Sequence, residues 1–152
     1  MRIASYVLEL DQRRGVLVKR NAVNYKVNNL NRADLIVSMM NDLYGLYRKA
    51  EEYVYMVAMD NKCHVIGVFM LSKGTVNASI VSPRDIFTRL CLCSASCFVM
   101  VHNHPSGDTT PSNDDIRTTK RVKECAELMN IQFVDHLIIG SDYYSFKDNG
   151  YL

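Results

Sequence analysis

Residues His102-Asn103-His104-Pro105, followed six positions on by Ser112-x-x-Asp115, form the part of this sequence best equipped for chemistry. Two histidines one residue apart on an extended strand project to the same side, because strand side chains repeat every two residues. The carboxylate of Asp115 then supplies a third corner of a tetrahedral zinc site. Two nitrogens and one oxygen leave the fourth position for water, which suits a catalytic zinc better than a structural one. Each fragment alone is a weak signal. Ser112-x-x-Asp115 is equally a variant of the helix capping box, and a short His-x-His pair is often surface decoration.

The elements around these residues make the combination stronger. Phe98-Val99-Met100-Val101 reads as a buried strand, so the histidines leave its C-terminal end. Pro105, Ser106 and Gly107 break the strand, and helical periodicity begins after Pro111. Ser112 is then the N-cap, with Asp115 at the third helical position. The inward stripe of this helix is expected at Val122, Cys125, Ala126 and Met129, and Asp115 falls on its continuation. A carboxylate on a buried stripe needs a partner, and a metal held by His102 and His104 would be one.

The rest of the chain reads as alternating strands and helices. Strands are expected at 3–10 and 16–27, joined by a hairpin turn at Arg13-Arg14-Gly15. A helix from Ala33 to Ala50 presents Ile36, Met40, Leu43 and Tyr47. Strands follow at 53–59 and 64–71, linked by Asp60-Asn61-Lys62, and another at 75–81. Ser82-Pro83 opens a helix that runs to about Cys93 and packs through Phe87, Leu90 and Cys91. Strands at 132–139 and 143–147 close the chain. Asp135-His136 reads as a structural pair on a buried strand near the pocket.

The run from Val101 to Ser112 closely resembles the JAB/MPN (JAMM) zinc metalloprotease family, in its bacterial RadC-like branch. The family's metal motif, His-x-His-Pro-x6-Ser-x2-Asp, is matched at every position. Ser82-Pro83-Arg84-Asp85-Ile86-Phe87 is similar to the branch's Pro-Arg-Glu helix start, and Asp135-His136-Leu137-Ile138-Ile139-Gly140 to its Asp-His-x-Ile-Ile-Gly strand. The resemblance covers residues 50–150. It implies an α/β (α+β) fold, a mixed β-sheet flanked by helices of the cytidine-deaminase-like JAB/MPN type, here with an amino-terminal β-hairpin extension. The expected division is 1–50, hairpin and helix packed on the core, and 51–152, the metalloprotease-like domain. The resemblance also implies His102, His104 and Asp115 as Zn2+ ligands and Ser112 as a catalytic site residue. The family's general base is a Glu on an earlier segment, and Glu51 and Glu52 both fall there. Glu52 is favoured because it directly precedes the strand Tyr53–Met59. The implied activity is zinc-dependent hydrolysis of a peptide or isopeptide bond in an unspecified protein substrate.

Composition limits the other possibilities. With 152 residues, 48% hydrophobic and 22% charged, one domain with a substantial core is expected. No run approaches the roughly 18 apolar residues of a membrane span, and no signal peptide opens the chain, so a cytoplasmic location is the default expectation. Five cysteines, an odd number, argue against a disulfide framework. Cys91-x-Cys93-x3-Cys97 lies on a helix and its end, where the thiols do not converge on a metal, so buried thiols are expected. Residues 1–32 hold seven Lys or Arg against two acids, a net of +5, while the remainder has a net of −3. A basic hairpin carrying Arg13, Arg14, Lys19 and Arg20 could bind a nucleic-acid backbone, a role that the resemblance to RadC-like proteins also suggests. A third alternative is a noncatalytic zinc-bound interaction module.

Overall fold

The computed structural model describes residues 1–13, 16–26, 29–74 and 81–152, with the backbone alone for 16–19. In chain order the strands are β1 (Arg2–Leu10), β2 (Val16–Asn24), β3 (Tyr53–Met59), β4 (Val65–Lys73), β5 (Cys97–Asn103), β6 (Gln132–Ile139) and β7 (Tyr143–Ser145). The helices are α1 (Ala33–Tyr44), α2 (Pro83–Leu92) and α3 (Asn113–Met129). The strands form one mixed sheet in the order β2-β1-β4-β3-β5-β6-β7. The amino-terminal hairpin continues this sheet, because β1 runs parallel to β4 with Ser5 opposite Val68 and Tyr6 opposite Phe69. The turn residues Arg14 and Gly15, and the expected strand over 75–80, lie outside the described residues.

Alternation along the central strands sorts the core into two layers. On β5, Val99 and Val101 face α1, where they meet Ile36, Met39 and Met40. Phe98 and Met100 face the opposite way, onto Ile86, Phe87 and Leu90 of α2 and Val122 and Ala126 of α3. Burying each such side chain contributes about 1.5–3 kcal/mol. Because helices cover both faces, β5 is buried along its whole length, as its continuous apolar run predicts. His102, two residues beyond Met100, therefore faces α3.

Four local expectations are corrected. Helix α1 stops at Tyr44 rather than continuing to Ala50, because Gly45 adopts φ +59° and its N–H closes the helix onto the Asn41 carbonyl. Leu46 then turns into the core, while Tyr47, expected on the apolar face, is 53% exposed. On α2 the inward residues are Ile86, Phe87 and Leu90, and Cys91 is exposed. On α3 the stripe ends at Ala126: Cys125 is half-buried and Met129 is exposed. Pro83 does occupy the first turn of α2, but the Ser82 side chain makes no capping bond there.

Candidate metal centre

The centre forms where β5 ends beside the start of α3. Past Asn103 the chain is tied to the neighbouring strand, as the His104 N–H donates to the Ile139 carbonyl at 2.9 Å. Gly107 then turns back at φ +83°, with its N–H on the His104 carbonyl at 3.0 Å. Its own carbonyl accepts from Ser141 N–H at 2.9 Å. Gly140 permits this close crossing, since a Cβ there would lie 2.4 Å from the Gly107 carbonyl oxygen. The loop that aims His104 is thus fastened to the end of β6.

Asp115 is placed by a complete capping box. The Ser112 hydroxyl accepts from Asp115 N–H at 3.1 Å and donates to Asp115 Oδ2 at 2.6 Å, while Ser112 N–H donates to the same oxygen at 2.8 Å. The carboxylate is 4% exposed. Its Oδ1 lies 3.2 Å from His102 Nε2, and its Oδ2 lies 3.4 Å from His104 Nε2. Burial pushes its pKa up, but the polar contacts with the His102 and His104 rings and the Ser112 hydroxyl outweigh burial and hold it far below the usual carboxylate range. The His104 pKa is raised, chiefly by its hydrogen bond to Asp115, against the opposing effect of burial.

The donor atoms suit a divalent cation. One ligand atom each from His102, His104 and Asp115 lies within 4.8 Å of the others, and no other such group occurs among the described residues. The Nδ1 atoms of both histidines are engaged elsewhere. His104 Nδ1 donates to the Asp108 carbonyl at 2.7 Å, and His102 Nδ1 lies 2.9 Å from His136 Nε2. The two Nε2 atoms consequently converge, 3.1 Å apart. At that separation the pair can share a proton or turn both lone pairs onto a cation. Tetrahedral ligands bonded at about 2.0–2.1 Å are separated by about 3.3–3.4 Å, close to the spacings here.

The register of β3 on β5 places the acids. Val54 pairs with His102 as the last rung of the β3–β5 ladder, and continuing its alternation two residues back brings Glu52 to the side of His104. The charges of His102, Asp115 and His104 all act on the Glu52 carboxyl, whose pKa is raised mainly by burial. Glu51 points the other way, pairing with Lys73 at 3.2 Å. Asn103, between the two histidines, faces the opposite side and clamps this segment. Its Oδ1 accepts from Tyr53 N–H at 2.8 Å, and its Nδ2 donates to the Glu51 carbonyl at 3.0 Å. Sequence reasoning missed Asn103, although a polar residue closing a buried apolar run was a usable signal.

The remaining candidates stand outside the group of three. His136 contacts His102, while Asp135 accepts from Ser145 Oγ at 2.6 Å and Lys147 N–H at 3.0 Å, fastening the β7 segment. Cys97 is buried and Cys93 half-buried, and the thiols of 91, 93 and 97 form no metal group. Arg13 and Arg20 are exposed on the hairpin; Arg14 and the Lys19 side chain lie outside the described residues. No helix among the described residues is long and apolar enough to cross a membrane.

A mixed sheet whose His-x-His strand end meets a Ser-capped helix bearing an acid defines a JAB-type domain. The RadC-like JAB domain model matches residues 30–151, and the chain belongs to that family. Among curated proteins it is 40% identical over 120 residues to a UPF0758 protein of Staphylococcus haemolyticus, covering 78% of this chain and 50% of that protein. A UPF0758 protein of Clostridium kluyveri is 41% identical over 120 residues, covering 78% and 51%. One from Alkaliphilus metalliredigens is 46% identical over 99 residues, covering 64% and 43%. The chain spans about half the length of these relatives.

Proposed function

We propose that this chain is a zinc-dependent hydrolase of the amide bond, acting on a peptide or isopeptide, with His102, His104 and Asp115 as the metal ligands. The observation that carries the reading is the convergence of two imidazole Nε2 atoms, 3.1 Å apart, beside a buried carboxylate whose Oδ2 is already held by Ser112. Zinc, when bound, lowers the pKa of a coordinated water from 15.7 to about 7 and polarises a carbonyl.

Glu52 takes the role of general base. Supporting this, the strand alternation from Val54 carries it towards His104, the charges of His102, Asp115 and His104 act on it, and burial raises its carboxyl pKa. In an amide hydrolysis the proton Glu52 accepts goes to the leaving amine. Asn103 holds the Glu51–Tyr53 backbone and thereby sets where Glu52 points. Ser112 donates to Asp115 at 2.6 Å, so it can serve a developing oxyanion only by turning its hydroxyl away from that oxygen.

The test pairs Glu52→Gln with Glu51→Gln, measuring bound zinc and hydrolysis of a peptide and isopeptide substrate panel. The expected result is one zinc per chain in both variants, with turnover abolished only by Glu52→Gln. A protein that binds no zinc after reconstitution overturns the reading. Zinc binding with no turnover in the parent would favour the noncatalytic module.

A further inference from the structure

His136 is a buried titratable side chain that the proposed hydrolysis does not use. It sits on β6, 2% exposed, with its ring stacked on Phe146 at a centroid distance of 4.8 Å. Parallel pairing of Met100 with His136 brings it diagonally beside His102 on the α3 face. Its two nitrogens have different neighbours: Thr119 Oγ1 at 2.7 Å from Nδ1, and His102 Nδ1 at 2.9 Å from Nε2.

The direction of this chain is fixed at its far end. Thr119 Oγ1 donates its hydroxyl hydrogen to the Asp115 backbone carbonyl at 2.7 Å, leaving its lone pairs for His136. Towards His136, Thr119 must therefore accept, and His136 Nδ1 carries the hydrogen. With its one hydrogen on Nδ1, the His136 imidazole turns its Nε2 lone pair towards His102. His102 Nδ1 is then the donor.

We propose that His136 is a positioning residue that holds His102 in its Nδ1–H form, so that His102 Nε2 presents a lone pair to the metal, with Thr119 setting the direction. The inference rests on His102 being a metal ligand. Asp115 thus enters the centre twice: its carboxylate is a ligand, and its backbone carbonyl orients another ligand through Thr119 and His136. The arrangement matters because a free histidine side chain favours hydrogen on Nε2, the wrong nitrogen for this site. Partners of this outer kind are typically worth about 10- to 100-fold in metal affinity.

The test reads tautomers directly, in metal-free 15N-labelled protein at pH 8, by long-range proton–nitrogen spectra of the histidine rings. His102 is expected as Nδ1–H in the parent and in His136→Gln, whose amide oxygen can still accept. In His136→Leu, and to a smaller extent in Thr119→Val, it should shift towards Nε2–H. Zinc affinity should fall about 10- to 100-fold in His136→Leu and recover largely in His136→Gln. A parent with His102 as Nε2–H overturns the inference, whether or not the leucine variant folds. So does a folded His136→Leu protein that binds zinc as tightly as the parent. Absence of zinc binding in the parent, by contrast, defeats the metal reading itself.

Discussion

Removing the metal will destabilise the fold, and the loss will shrink as the pH falls. In the metal-free protein the site is held by protons: the His104 pKa is raised by its hydrogen bond to Asp115, against burial. A raised histidine pKa stabilises fully below the unfolded value, about 6.5, and that contribution disappears as pH rises through the folded value. The metal needs the opposite form, a deprotonated imidazole. Above pH 6.5 each step towards acid therefore strengthens the metal-free site and weakens its competitor. Asp115, held far below the carboxylate range, stays ionised throughout and keeps both forms paired.

The size can be worked out. With free zinc buffered at 1,000 times the dissociation constant at pH 8, the bound form gains about 4.1 kcal/mol. For a domain of this length that is roughly 8–16 °C in Tm, at about 2–4 °C per kcal/mol. Each tenfold loss of affinity to protons removes about 1.4 kcal/mol, or roughly 3–6 °C. Once the His104 imidazole is protonated the gap should close by about that much per pH unit. Differential scanning calorimetry of zinc-buffered and chelated protein at pH 8, 7 and 6 measures it. A gap that is absent at pH 8, or that widens towards pH 6, refutes the reasoning.

Three substitutions probe how the site is held. Gly140→Ala places a methyl 2.4 Å from the Gly107 carbonyl oxygen, so the loop carrying His104 must shift; metal affinity measured by calorimetric titration should fall at least about 10-fold, costing roughly 1–3 kcal/mol of stability as well. Asn103→Ala strands the Tyr53 N–H and the Glu51 carbonyl, at a cost of about 1–3 kcal/mol in denaturant unfolding; turnover should fall more than zinc affinity, because Glu52 moves and the ligands do not. Ser112→Ala removes the α3 cap, about 0.5–2 kcal/mol, and if Ser112 also serves the oxyanion the zinc-loaded variant should lose about 100- to 1,000-fold in kcat. Unchanged kcat in that variant would leave Ser112 as a cap alone.

The three residues that could hold a metal were legible because they sit within fourteen residues, on one strand end, one loop and the first turn of one helix. Local rules suffice there: strand alternation aims His102, and the capping box turns Asp115 inward. The same rules misjudged α1, where apolar spacing ran on through Leu43 and Tyr47 but the left-handed turn at Gly45 ended the helix. They also overextended the α3 stripe to Met129, since amphipathic spacing continues past the point where the sheet stops covering the helix.

What the local rules could not supply is everything that depends on which strands are neighbours. Glu52 is carried towards His104 because β3 pairs antiparallel with β5 up to Val54 and His102. A shift of one residue would send Glu51 to the ligand face instead, and the choice between two adjacent acids is therefore a matter of register. His136 reaches His102 only because β5 and β6 are parallel and α3 crosses between them. Both features had local signatures, a pair of acids before an apolar strand and two polar residues inside one, but a signature fixes neither partner nor direction. The site is thus encoded on two scales. The candidate ligands are written in a short contiguous motif, and the groups packed against them are written in the order of the sheet. Substitutions at Asn103, Gly140 and His136 should for that reason degrade the centre while leaving every metal ligand in place.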